Sequence, residues 1–136
     1  MNIEEIEMIN ESNAPWTSHL ELMDRAVTLR DPDGAIRAWR DAYAAALGGN
    51  GWQGLIEVAA ACLKIGEIPG FRKACEAKTR QTYWTALARA RQERSVDGVL
   101  RVAGAFQGLG ARAMADECAR IAESFAAAAG DSEALG

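Results

Sequence analysis

One histidine, His19, and three cysteines, Cys62, Cys75 and Cys118, carry most of the nucleophilic and metal-ligating chemistry in this chain. A cysteine beside a histidine makes a nucleophile–base pair, in which the imidazole takes the thiol proton. A single histidine cannot build a His-rich metal site, and three cysteines without a CxxC pair give neither a zinc ribbon nor a disulfide framework. Each cysteine sits among small or apolar neighbours at helical spacing, where a free thiol packs as a small hydrophobe. His19 falls on a helix whose other residues face a core. The spacing therefore assigns these residues to packing, and no catalytic residue, cofactor site or metal ligand is expected. The glycines of 104–110 (GAFQGLG) follow no strand, so Gly108 and Gly110 read as a helix terminator rather than a phosphate cradle. Neither a GxxxxGK[ST] loop nor a nucleophile elbow is present.

A second kind of chemistry lies in the charges. The chain is acidic, with a formal charge of −4 and a pI near 5.0, so its overall field does not draw in nucleic acid. The distribution is uneven. Residues 1–34 carry eight acids and two arginines, net −6, whereas 64–101 carry nine bases and four acids, net +5. Arg72, Lys73, Lys78, Arg80, Arg89, Arg91, Arg94 and Arg101 interleave with Tyr83 and Trp84, a pattern able to stack bases or hold phosphates. Glu76, Glu93 and Asp97 dilute it, and an acidic peptide or another protein suits the surface better.

The elements that must position these residues are helices. Of 136 residues, 28 are Ala, against 5 Val, 8 Ile and 5 Thr, which favours helix over strand throughout. Apolar residues make up 49% of the chain, enough for a buried core. The longest apolar runs, 42–47 and 58–63, are six residues each, and a membrane span needs roughly 20. The acidic start, MNIEE, is unlike a signal peptide. Together with the free cysteines, this leads to the expectation of a soluble, cytoplasmic protein with no membrane contact.

Residues 1–12 form an acidic amphipathic segment, with Ile3, Ile6 and Ile9 between glutamates, too short to be a stable helix alone. A helical-hairpin domain is expected over 13–129 and a frayed tail over 130–136. In the first hairpin Trp16, Leu20, Met23 and Val27 make one apolar stripe. Asp31 and Pro32 then cap and start the second helix, whose stripe is Ile36, Trp39, Tyr43 and Leu47. A helix from Trp52 to a stop at Gly66 pairs with one starting at Pro69. The last hairpin breaks at 108–110. Along 71–87, Phe71, Ala74, Cys75 and Lys78 share one face, while Tyr83, Trp84 and Leu87 take nearly the opposite one. That rotation predicts a turn within 78–81 (KTRQ), the alternative being one long helix with two packing partners. Each of the four tryptophans occupies an apolar helical position, with Trp16 and Trp52 near helix starts, where a contact anchor can be exposed.

The hairpins repeat. A shift of 44 lays Leu55 on Val99, Val58 on Val102, Cys62 on Phe106 and Gly66 on Gly110. A shift of 36 pairs Leu22 with Val58 and Trp39 with Cys75. A single helix pair cannot cover its own apolar face, and stacked pairs can. The pattern resembles the tetratricopeptide repeat in degenerate form over about 15–129. In 31–42 (DPDGAIRAWRDA), Ala35, Ile36, Trp39 and Ala42 stand at that family's small, aliphatic, aromatic and small positions. Arg30 stands where the family's turn has glycine. The expected fold is all-α, with six to eight helices in stacked antiparallel hairpins, as a tetratricopeptide-like solenoid or a compact irregular bundle. The resemblance implies a non-enzymatic adaptor, assembly factor or chaperone holding a peptide or helix in a groove lined by the first helix of each hairpin. It points to Leu20, Asp24, Val27, Ile56, Leu63 and Lys64, with Tyr83, Arg89 and Arg91 extending the rim. The alternative is a structural subunit that works through homo-oligomerisation or within a larger complex.

Overall fold

The computed structural model of the protein describes residues 14–135, with side chains through Gly130; the amphipathic segment 1–12 lies outside them. The described residues form six α-helices and no strand: α1 (Thr17–Thr28), α2 (Pro32–Gly48), α3 (Gln53–Ile65), α4 (Arg72–Gln92), α5 (Val96–Gly108) and α6 (Arg112–Leu135). The fold is all-α, and consecutive helices pack together, α1 along α2 and α5 along α6.

Three of the connections are one and the same turn. At the end of α1, Asp31 N–H donates to Ala26 C=O (2.9 Å) and Arg30 N–H to Val27 C=O (3.0 Å). At the end of α4, Ser95 donates to Ala90 and Arg94 to Arg91; at the end of α5, Ala111 donates to Phe106 and Gly110 to Gln107. Each is a Schellman cap, which satisfies the last carbonyls by sending one residue into the left-handed region. That residue is Arg30 (φ 54°), Arg94 (φ 53°) or Gly110 (φ 78°). The residue after it opens the next helix. Asp31 accepts from Gly34 N–H and Ser95 from Gly98 N–H, at 3.1 and 2.9 Å, while Pro32 stands in the first turn of α2. Sequence and structure agree on the Asp31–Pro32 start. The α3–α4 connection is longer, and its left-handed residue is Gly70 (φ 94°) rather than Gly66.

The chain divides into two units. The first takes the described residues up to Gly49 with Glu57–Thr79; the second takes Asn50–Ile56 with the chain from Arg80 onward. Both α3 and α4 contribute a segment to each. In the first unit the α2 face is nearly all alanine, with Ala35, Ala38, Ala42 and Ala46 buried. Side chains that small let neighbouring helices approach closely. The larger Met23, Trp39, Val58 and Ile65 fill the remaining space. The indole N–H of Trp39 donates to Val58 C=O at 2.8 Å. In the second unit Leu55, Val99, Val102 and Phe106 are fully buried, and Tyr83 meets Phe106 edge-on at 5.6 Å.

Several expectations are corrected. No turn interrupts 78–81; α4 runs unbroken through Arg72–Gln92. Its face rotates because its residues serve the first unit up to Thr79 and the second from Arg80. The helix after Pro69 starts at Arg72. Leu22 is 52% exposed, while Val58 and Val102 are fully buried. Met23 takes the buried position on α1, so the 36-residue shift fails in burial at Leu22 and Val58 and holds at Trp39 and Cys75. The 44-residue shift holds for Leu55 and Val99, Val58 and Val102, and Cys62 and Phe106. The exposed tryptophan is Trp84, at 43%, whereas Trp52 is buried.

Candidate functional site

The first unit holds several clefts, two of them lined by helices of both hairpins. One runs between α1 and α3, the two first helices of their hairpins, and encloses about 360 Å³. It brings together three of the residues that the resemblance points to, Leu20, Asp24 and Lys64. Lys64 Nζ lies 3.1 Å from Asp24 Oδ1, and Trp16 Nε1 donates to Glu57 Oε2 at 2.8 Å. Both bonds tie α1 to α3. The groove between them is thus already bridged by its own side chains.

The second cleft encloses about 390 Å³ between α2, the last turns of α3 and the first two turns of α4. Its lining includes Ile36, Trp39, Tyr43, Ile65 and Phe71 together with two cations, Arg40 and Lys78. Helical spacing explains the first wall: Ile36, Trp39 and Tyr43 follow one another at i, i+3 and i+7 on α2. The Trp39 and Tyr43 rings stack at 5.1 Å. The ammonium of Lys78 sits 4.5 Å from the Tyr43 ring centroid, where the ring's negative face attracts it. The opposite wall is Phe71, Ala74, Cys75 and Lys78, the cluster that shares one face at the start of α4. Below them Thr79, fully buried, donates its hydroxyl to Ala59 C=O at 3.1 Å. The volume is in the range of small-ligand and side-chain pockets, and apolar walls with a few polar groups are the composition such pockets have.

Cys62 and Cys75 also face this cleft. Burial pushes the Cys62 thiol up to about 12, and the neighbouring Cys75 adds to the rise. Cys75 is raised as well, chiefly by burial, and is eased down by the hydrogen bond from Cys62. Cys118, in the second unit, is likewise raised by burial. All three are free thiols.

The other expected site residues are scattered. Leu63 borders a third hollow with Gly66, Glu67, Arg72 and Glu76. Val27 and Ile56 are half-buried, and Arg91 is exposed in the last turn of α4. Arg89 Nη1 donates to Gly51 C=O at 3.1 Å, which ties α4 to the chain before α3. Tyr83 is 4% exposed and packs in the core against Phe106, so it forms no rim. Among the described residues no group of three or more His, Cys, Asp or Glu is placed to hold a metal ion, and no helix is long and apolar enough to cross a membrane. Compared with known proteins, the chain matches no family model, no curated protein and no solved structure.

Proposed function

We propose that the chain is a non-enzymatic interaction module, a degenerate tetratricopeptide-like set of hairpins acting as adaptor, assembly factor or chaperone. It holds an acidic amphipathic peptide in the cleft between α2, α3 and α4. One observation carries this reading: the lining is mostly aromatic and aliphatic and includes two cations, Arg40 and Lys78. An apolar side chain gains by leaving water for those walls, and carboxylates flanking it meet the two cations. This is the physics of a helix laid in a groove, with anchors one turn apart and charges fixing the register. The groove between α1 and α3 supports the reading less, because Asp24 and Lys64 already satisfy each other there.

Fluorescence anisotropy of a labelled helical peptide with leucines at i, i+3, i+4 and i+7 among glutamates tests this. Saturable binding is expected, weakened at least tenfold by Tyr43→Ala or by Arg40→Glu with Lys78→Glu, and little changed by Lys64→Glu. Equal binding of a peptide with lysines in place of the glutamates, or no saturable binding, would defeat the proposal. The second reading, a structural subunit acting through self-association, draws on the uneven charge, net −6 over 1–34 against net +5 over 64–101. It expects an oligomer in light scattering at low salt that dissociates at high salt, as screened charges require.

A further inference from the structure

The chain carries a peptide of the kind that the cleft between α2, α3 and α4 is read to hold. Residues 1–12 (MNIEEIEMINES) place Ile3, Ile6 and Ile9 three apart among Glu4, Glu5, Glu7 and Glu11. At helical spacing the three isoleucines fall within about 120° of one another, and Glu5 and Glu7 flank that stripe, one on each side. The cleft has the matching pattern. Ile36, Trp39 and Tyr43 on α2 face Phe71 and Ala74 on α4, and each helix adds one cation, Arg40 from α2 and Lys78 from α4. An isoleucine stripe seated between the two helices brings one glutamate toward each cation. A cavity of roughly 150 Å³ admits benzene, so about 390 Å³ has room for roughly two or three aliphatic side chains. A segment this short hardly holds a helix alone in water, and docking supplies what it lacks.

We propose that the partner this cleft takes is a second copy of the chain, whose residues 1–12 seat there as an amphipathic helix. The proposal rests on the reading of the cleft as a peptide groove. The donor is another copy because only residues 10–13 join Ile9 to Ala14, and the chain enters α1 beside α3, where Trp16 donates to Glu57. The cleft is walled instead by α2 and α4. Segment and cleft are different surfaces, so the contact is heterologous, and copies add head to tail in a row or close a ring. The division of charge, net −6 over 1–34 and net +5 over 64–101, favours that orientation.

Light scattering on the full chain tests this. The wild type should weigh more than one chain of 14.6 kDa, with a mass that rises with concentration and falls at high salt. Ile6→Asp, which alters no described residue, should weaken association at least tenfold, and so should Arg40→Glu with Lys78→Glu. Mixing them is decisive. Ile6→Asp keeps a working cleft and the double variant keeps a working segment, so monomers of each should combine into a one-to-one dimer and nothing larger. A wild type that stays monomeric at every concentration, an assembly that persists in Ile6→Asp, or folded variants that do not combine would overturn the proposal. Should the double variant fail to fold, the wild-type series and Ile6→Asp decide alone. Saturable binding of the labelled leucine–glutamate peptide to a chain that stays monomeric would overturn this proposal and leave the groove reading standing; loss of both would overturn both.

Discussion

At Arg30 and Arg94 the backbone takes a conformation in which an L side chain crowds the following carbonyl. Glycine relieves that crowding and gives back part of the gain through its larger unfolded-state entropy. The two arginines differ in what their side chains do. Arg30 is exposed, whereas the Arg94 guanidinium lies 4.8 Å from the Phe125 ring centroid. Arg30→Gly should therefore stabilise the fold by about 0.5–1 kcal/mol. Arg94→Gly should gain less, since it forfeits a contact worth about 0.5–1 kcal/mol. Urea midpoints of the two variants check the order, and a larger gain at Arg94 would contradict the geometry. Gly98 presents the opposite case. A Cβ there would come within 2.7 Å of the Trp52 indole and 2.9 Å of Ala90 Cβ, all of it buried. Gly98→Ala should cost about 1–3 kcal/mol as the indole is forced off its place. An unchanged midpoint would mean that α5 lies farther from Trp52 than described.

At the scale of the element, α4 shows what the sequence could and could not reveal. Helix ends were legible at Asp31–Pro32 and 108–110, where a side chain or a glycine writes them, and less so at 66–72, where the left-handed residue is Gly70 and the helix starts at Arg72. The middle of α4 was not, because reading a face by its periodicity assumes that one helix has one partner. Phe71, Ala74, Cys75 and Lys78 face one way and Tyr83 and Leu87 another, and the change falls where the helix passes from one unit to the other. A rotation of stripe therefore marks a change of partner here. Proline at the exposed position 80 distinguishes the two. Within a continuous helix Arg80→Pro removes a main-chain hydrogen bond and clashes with the preceding turn, costing about 3 kcal/mol or more. In a turn it would be tolerated, so a urea midpoint near wild type would restore the break at 78–81. The cleft was half legible in the same way. Both of its stripes, Ile36–Trp39–Tyr43 and Phe71–Cys75–Lys78, stand out as helix faces. That they oppose each other is a long-range pairing, on which local spacing is silent. The groove implied by the family resemblance lies instead on the α1–α3 side.

For the molecule as a whole, the buried thiols set a limit on the alkaline side. In the unfolded chain a cysteine ionises near its ordinary value of 9.0, whereas folded Cys62 keeps its proton up to about 12. Below pH 9 both states hold the proton and the contribution of this group is complete. Between the two values the folded chain binds more protons than the unfolded one, so stability falls as pH rises, at up to about 1.4 kcal/mol per pH unit for one such group. Cys75 and Cys118 are displaced in the same direction, and so is Tyr83 above its ordinary value of 10.0, each chiefly by burial. Their losses add to that of Cys62, and they draw on both units. Thermal midpoints by circular dichroism should thus stay level from pH 7 to about 8.5 and then descend steeply. Cys62→Ala lowers the plateau by deleting a packed sulfur, so the level is not the test. The slope is: above pH 9 the variant should descend less steeply than wild type, because one titrating group is gone. Equal slopes would mean that Cys62 ionises in the fold as readily as in the open chain, which its burial against α4 does not allow.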